Sequence, residues 1–197
     1  MKFFTGSLFL GSKKLLSADR LKPESNELFA DWIEYTQCLI DSINKTVGEN
    51  DELYVLGNFS RRKPGKFLRR INCRHVHLIR GDIDPPMAST EVFGVVPDTQ
   101  KVKLRKGDNY KGTSVILSHF PLVYWKGSHR GRVLLYARHL DSREAAFKRA
   151  LPTHRSFNCC VDNLRALFGN YCPISETTLI DMLASRRGLD TEDEKTT

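Results

Sequence analysis

Short apolar runs, each closed by glycine or a polar residue, are the feature that most limits what this chain can become. Leu53-Tyr54-Val55-Leu56 ends on Gly57, and Val76-His77-Leu78-Ile79 ends on Arg80-Gly81. The runs 91–96, 113–117 and 132–136 have the same brevity and the same supply of β-branched and aromatic side chains, so all five are predicted strands. The segment 28–47 differs. Its Leu28, Trp32, Leu39, Ile43 and Val47 fall on one helical stripe, widened by Ile33 and Ile40, which predicts an amphipathic helix packed on a sheet. That helix separates an opening apolar strand from the strand at 53. Strands alternate with helical stretches early and follow one another more directly later, which predicts an α/β sandwich of two packed sheets.

Punctuation elsewhere adds detail. Residues 98–110 are expected to hold a hairpin, with Lys106-Gly107-Asp108-Asn109 as its turn. Ser175 is the expected N-cap of a helix from Thr177 to Arg187 that Gly188 stops. At 197 residues the chain has the size of one domain, taken as 1–189, followed by an acidic disordered tail, 190–197. No run of about 18 apolar residues occurs, and the opening Met1-Lys2-Phe3-Phe4-Thr5 is interrupted too soon for a signal peptide, so a cytoplasmic protein with no membrane partner is expected. Five cysteines form neither an even disulfide set nor a zinc spacing, and are read as reduced structural thiols.

Charge narrows the partners. The net charge is +8, but residues 190–197 hold four acids and one lysine, or −3, so residues 1–189 carry +11. Lys13 and Lys14 follow the first strand, Arg61, Arg62, Lys63 and Lys66 follow the second, and Lys126, Arg130 and Arg132 precede the run at 132. Loops after the carboxyl ends of strands in an α/β sheet gather on one face. These cations, with Arg138, are therefore the expected phosphate-binding or nucleic-acid-binding residues, and arginine's planar fork suits phosphate. No groove-reading motif is present, which favours RNA or a ribonucleoprotein over duplex DNA. Tyr110, Tyr124 and Trp125 are candidates to stack on unpaired bases, although core or loop-anchor roles are the commoner use of such aromatics.

Five separated motifs, in order, resemble those of the calcineurin-like metallophosphoesterases. The opening strand followed by Ser7-Leu8-Phe9 resembles the family's Asp-x-His, with Ser7 and Phe9 in place of two ligands to the first metal. Gly57-Asn58 resembles Gly-Asp, with Asn58 in place of the bridging carboxylate. Gly81-Asp82-Ile83-Asp84 resembles Gly-Asn-His-Asp, with Asp82 for a metal-binding asparagine and Ile83 for the proton donor. Ser118-His119-Phe120-Pro121-Leu122 resembles Ser-His-Tyr/Phe-Pro-Leu and keeps its ligand in His119. Leu135-Tyr136-Ala137-Arg138-His139-Leu140 resembles Leu-His-Gly-His-x-His, with Arg138 and Leu140 replacing two histidines. A shift of one residue would instead put His139 and Asp141 on those positions. The resemblance implies a four-layer α/β/β/α sandwich and a vestigial metal site at Ser7, Phe9, Asn58, Asp82, Ile83, His119, Arg138 and Leu140.

What it implies about chemistry follows from these exchanges. A dinuclear site holds its ions about 3.5–4 Å apart and clamps both oxygens of an in-line displacement. Isoleucine donates no proton, and a neutral amide does not bridge two dications as a carboxylate does. The expectation is a catalytically inactive protein with no cofactor, or at most one labile metal ion at Asn58, Asp82 and His119, acting as a binding module on RNA or a ribonucleoprotein such as the ribosome. One alternative is an inhibitor or adaptor of a single host protein, as a phage takeover factor would be; another is a residual mononuclear phosphoesterase. Asp84 is expected to anchor a neighbouring loop, His75 and His77 to be structural or surface residues, and Asn158-Cys159-Cys160-Val161-Asp162, which resembles the family's Asn-x-x-Val-Asp, to be architectural. Cys159 and Cys160 have no evident histidine partner and are not read as nucleophiles.

Overall fold

Strand β1 (Lys2–Thr5) turns Phe3 and Phe4 to opposite sides, and both are buried. Strands β2 (Glu52–Leu56) and β3 (His75–Ile79) run parallel to it in the order β3-β2-β1, and the short β8 (Ile174–Ser175) pairs antiparallel with the free side of β1. A second sheet orders β4 (Thr99–Lys103), β5 (Ser114–Ser118), β6 (Val133–Tyr136) and β7 (Ser156–Asn158), antiparallel at β4-β5 and parallel elsewhere. The structure is a computed structural model that describes residues 1–13, 29–105, 114–138 and 155–193, with side chains described as far as residue 185. Within them the architecture is mixed α/β, with two mixed four-stranded sheets and five α-helices.

The two sheets share one core. Phe4, Tyr54, Leu56 and Ile79 from the first meet Val115, Leu117, Val133, Leu135 and Phe157 from the second in one apolar cluster. Alternation along the same strands sends Phe3, Leu53, Val55 and Leu78 to the other side, against Tyr35, Leu39, Ile40 and Ile43 of helix α1 (Trp32–Thr46). Strands covered on both sides read as continuous apolar runs rather than as alternating ones, which is why 53–56 and 133–136 are so uniformly hydrophobic. Each such side chain contributes about 1.5–3 kcal/mol by leaving water. Asp31 starts α1 by accepting from the Ile33 and Glu34 amides at 2.8 and 2.9 Å, and Glu34 reaches back to the Ala30 amide at 2.7 Å. The outer side of the second sheet is covered by Trp125, which packs with Ile116, Leu134 and Tyr136.

Several boundaries differ from the sequence reading. Residues 91–96 are not a strand: helix α3 (Pro86–Phe93) follows helix α2 (Pro64–Leu68) and takes up the first half of that run. Pro86 suits a first helical turn because that turn leaves its amides unbonded anyway, and Gly94 at φ 72° ends the helix with its amide on the Thr90 carbonyl. Ile33 faces solvent, since the buried side of α1 turns through Tyr35 and Thr36 instead. The antiparallel partner of β4 is β5, and the expected turn at 106–109 lies outside the described residues. Helix α4 (Val161–Phe168) precedes β8. Ser175 does cap helix α5 (Glu176–Asp193), accepting from the Thr178 amide at 3.1 Å, but the helix runs through Gly188, which raises a helix's free energy by about 1 kcal/mol without ending it. No helix among the described residues is long and apolar enough to cross a membrane.

Candidate functional site

The carboxyl ends of β1, β2, β3, β5 and β6 meet at one edge of the two-sheet core. Beyond β1 the backbone keeps pairing with the segment beyond β2: the Ser7 amide donates to Gly57 O at 2.9 Å, Phe9 to Asn58 O at 2.8 Å and Leu10 to Phe59 O at 2.9 Å. The sheets touch at Gly6, where a Cβ would lie 2.5 Å from Ala137 Cβ. The Ser7 hydroxyl donates to Ala137 O at 2.6 Å, stitching the first sheet to the second. Ser7, Phe9 and Asn58 all have left-handed φ values, of 57°, 50° and 56°, a conformation that raises the free energy of a residue with a side chain by roughly 1–2 kcal/mol.

Asp84 holds this edge together. Its carboxylate is buried and accepts from four backbone amides, those of Asn58 at 2.7 Å, Phe59 at 2.8 Å, Ser60 at 3.3 Å and Gly81 at 2.9 Å. It thereby clamps the turn after β2 to the turn after β3, as expected of a loop anchor. Burial pushes its carboxyl pKa up, and the four donors work against that push by favouring the charged form.

At the centre lie Asn58, Asp82, His119 and Arg138. His119 is fully buried with its ring against Gly57, and its Nδ1 lies 2.9 Å from Leu56 O. A carbonyl only accepts, so Nδ1 carries a hydrogen, which in the neutral ring leaves the lone pair on Nε2. That atom has no hydrogen-bond partner and faces Asp82 Oδ2 at 3.6 Å. Arg138 Nη1 lies 3.5 Å from the same oxygen, and its guanidinium covers the Phe120 ring at 5.3 Å. Both members of the Asp82–Arg138 pair are partly exposed, which limits its worth to about 1 kcal/mol or less. Asn58 Oδ1 accepts from the Ile83 amide at 3.1 Å, so this side chain braces the turn after β3.

These residues do not fit a pair of metal ions. Ser7 is committed to Ala137 O, Phe9 packs partly against the core, Ile83 has no donor atom, and Arg138 brings a fixed positive charge to the carboxylate. No group of three His, Cys, Asp or Glu side chains among the described residues gathers as metal ligands would. Leu140, His139 and Asp141 lie outside the described residues.

The candidate cations occupy two places. Arg61, Arg62, Lys63 and Lys66 are exposed beside the site and make no ion pair with a described residue. Lys13 joins them, because Ser60 Oγ donates to Leu10 O and the Gly11 backbone packs against Phe67; its Nζ lies 5.8 Å from the Trp32 ring centre. Lys14 is outside the described residues. By contrast Arg132 stands before the first residue of β6 and Arg138 just beyond its last, roughly 20 Å apart at the usual rise of a strand. Arg132 Nη1 donates to Lys126 O at 2.7 Å and Arg130 Nε to His129 at 3.1 Å. Lys126, Arg130 and Arg132 thus shape a turn at the far end of β6, and proximity in sequence to the motif is not proximity in space.

Other residues resolve in the same way. Trp125 is a core anchor, with its Nε1 donating to Arg132 O at 2.8 Å, whereas Tyr124 beside it is exposed; Tyr110 is outside the described residues. His77 stacks on Tyr54 at 4.7 Å and His75 is exposed. Burial pushes the Cys160 thiol up to about 12 and raises Cys159 further, so neither forms a thiolate at neutral pH. Asn158 is architectural, with Nδ2 donating to Arg138 O at 3.2 Å and Oδ1 accepting from the Cys160 amide at 2.9 Å. Sequence reasoning missed Phe120 as the platform beneath Arg138. It also missed Lys101 and Lys103, whose two-residue spacing puts them on one side of the edge strand β4.

No family model matches the chain, and no curated protein matches it either. Among solved structures it is similar to AQ665 from Aquifex aeolicus, a protein of unknown function, at 18% identity and a TM-score of 0.60, over 92% of this chain and 98% of that one. It also matches Vps29 from Chaetomium thermophilum at 19% identity and a TM-score of 0.35, over 69% and 60% of the two chains. The first likeness extends over nearly the whole of both chains and is one of fold alone.

Proposed function

We propose that the chain is a metallophosphoesterase-like protein without hydrolytic activity that serves as a cytoplasmic binding module, its basic face docking on RNA or a ribonucleoprotein such as the ribosome. In this reading the two packed sheets are the inner layers of a four-layer α/β/β/α sandwich. The observation that carries it is the group Arg61, Arg62, Lys63 and Lys66, exposed directly after the Asn58 turn and without ion-pair partners among the described residues. Like charges left together on one rim repel, and an anionic partner relieves that repulsion. Arg138 contributes differently. Its charge is partly spent on Asp82, so it stands in for a metal cation at the centre while the rim meets the phosphates. Loss of the proton donor at Ile83 and of the bridging carboxylate at Asn58 each removes a large factor from transition-state stabilisation.

Binding of the purified protein to ribosomal RNA across a salt series tests the reading. Affinity should fall steeply, with a logarithmic slope of about −0.7 to −0.9 for each phosphate neutralised, and the triple change Arg61→Glu, Arg62→Glu, Lys63→Glu should flatten it. A curve independent of salt, or a single protein partner that survives nuclease treatment, would move the protein to the host-protein inhibitor or adaptor class.

A second reading rests on one atom. Nε2 of His119 is buried, unpartnered and directed at Asp82, and with the Asn58 amide these groups could hold one labile divalent ion. Calorimetry with Mn²⁺ and an assay on a chromogenic phosphodiester decide it. Saturable binding with turnover that His119→Ala abolishes would revive a mononuclear phosphoesterase.

A further inference from the structure

The loop after β5 carries exposed apolar side chains that begin at the site with Phe120, 40% exposed, and run along the second sheet toward the far end of β6 with Val123, 51%, and Tyr124, 71%. Leu122 between them and Trp125 after them point inward, where Trp125, with Leu122 packed alongside, joins Ile116, Leu134 and Tyr136. A loop pinned this way holds its outward side chains in place, so little conformational entropy is lost when something binds them. Phe120 is fixed further by His119, edge-on at 4.9 Å, and by the guanidinium of Arg138. The same His119 ring rests on Gly57, four residues before Arg61. Phe120, where the aromatic margin begins, and the basic lip therefore flank one centre.

The centre itself decides what goes where. Asp82 is negative and half-exposed, which disfavours a phosphate group lodging there, while the lip beyond Asn58 has no acidic residue from 59 to 81. Phosphates belong on the lip, and the flat groups attached to them reach the aromatic margin. In a duplex the base faces are stacked away; in a single strand they are free to lie on aromatic rings, an interaction every base can make.

We propose that this surface binds unpaired nucleotides of single-stranded RNA, with bases stacking on Phe120 and Tyr124 and the backbone following Arg61, Arg62, Lys63 and Lys66. The proposal rests on the reading of RNA as partner and adds the form in which RNA is taken.

The test uses the full chain and a fluorescently labelled RNA of about 12 nucleotides in mixed sequence, within the span such surfaces cover, beside its own duplex. Anisotropy titrations at low and physiological salt compare the unaltered protein with Tyr124→Ala, Phe120→Leu, and the triple glutamate reversal of residues 61–63; Phe120→Leu keeps apolar packing under Arg138 and removes only the ring. The single strand should bind better than the duplex, each aromatic change should weaken it about tenfold, and the triple reversal should both weaken binding and flatten its salt dependence. Unchanged affinity in both aromatic variants, or a duplex bound as well as the single strand, overturns the stacking proposal while leaving the basic-face reading intact if the triple reversal still abolishes binding. Failure of the unaltered protein to bind either RNA overturns both. Saturable binding of poly-glutamate in that case would assign the surface to an acidic protein partner.

Discussion

Replacing Asp84 by alanine removes the acceptor of four buried amides at once. A buried donor left without a partner costs about 1–3 kcal/mol, giving a gross penalty of roughly 4–12 kcal/mol. Two effects reduce it. The vacated volume can admit a water molecule, and the protein no longer buries a carboxylate whose pKa burial raises. The expected net loss is about 3–5 kcal/mol, a large part of the roughly 5–15 kcal/mol that holds such a domain folded. Urea unfolding followed by the fluorescence of the buried Trp125 should lose about 2 M of its midpoint if the slope is near 2 kcal/mol/M. Asp84→Asn sharpens the test, since its carbonyl can serve Phe59 and Ser60 while its NH₂ would face the Asn58 and Gly81 amides, donor against donor. It should lose at least half as much. A midpoint for Asp84→Ala within about 0.5 M of the parent, or an Asp84→Asn protein more stable than the parent, would mean that the four hydrogen bonds do not outweigh the cost of the buried charge.

Two further changes probe the same edge and its opposite. Gly57→Ala would put a Cβ 2.5 Å from His119 Nδ1, at a φ of 78°, against a ring that is buried and tied to Leu56 O; a loss of about 3–5 kcal/mol in thermal unfolding is expected. Gly169→Ala, at φ 71° and ψ 8° just beyond α4 with nothing within 4 Å, should lose only about 1–2 kcal/mol and serves as the control. In the middle of β3, burial lowers the His77 pKa while Glu52 opposes the shift. Folding therefore favours the neutral ring: its stabilisation is present above the unfolded value of about 6.5 and is lost as pH falls through the lower folded value. Unfolding midpoints measured from about pH 7 to pH 5 should fall less in His77→Gln than in the parent, and equal falls would refute the assignment.

Strand positions were legible because a doubly covered strand must be apolar throughout; β2 and β6 were placed to within a residue on that ground alone. The run at 91–96 misled for the same reason. Val92, Phe93, Val95 and Val96 look like a strand, and only the pair Pro85-Pro86 before them and Gly94 among them signal a helix with its stop. Asp84 was recognisable as an anchor, but its four partners come from two loops that are separate in sequence. The division of the cations was not legible. Arg132 and Arg138 are six residues apart in the chain, and only a strand between them carries one to each end of the sheet. Trp125 and Tyr124 are neighbours with opposite fates, decided by which side of the loop meets Leu134 and Ile116.

The pairing of β1 has a consequence for the order of events on the ribosome. Phe3 and Phe4 are made well before their partners Ser175 and Ile174, and the Lys2 amide donates to Glu176 across 174 residues of chain. Until that far segment is synthesised, one side of the first strand stays open and the buried Glu176 that ties Lys2 to Arg105 is missing. The first sheet can therefore assemble from β1, β2 and β3 during synthesis but closes only once β8 has been made. Such long-range pairing slows folding and lengthens the exposure of an apolar edge, which makes the nascent chain a client for whatever protects unfinished proteins.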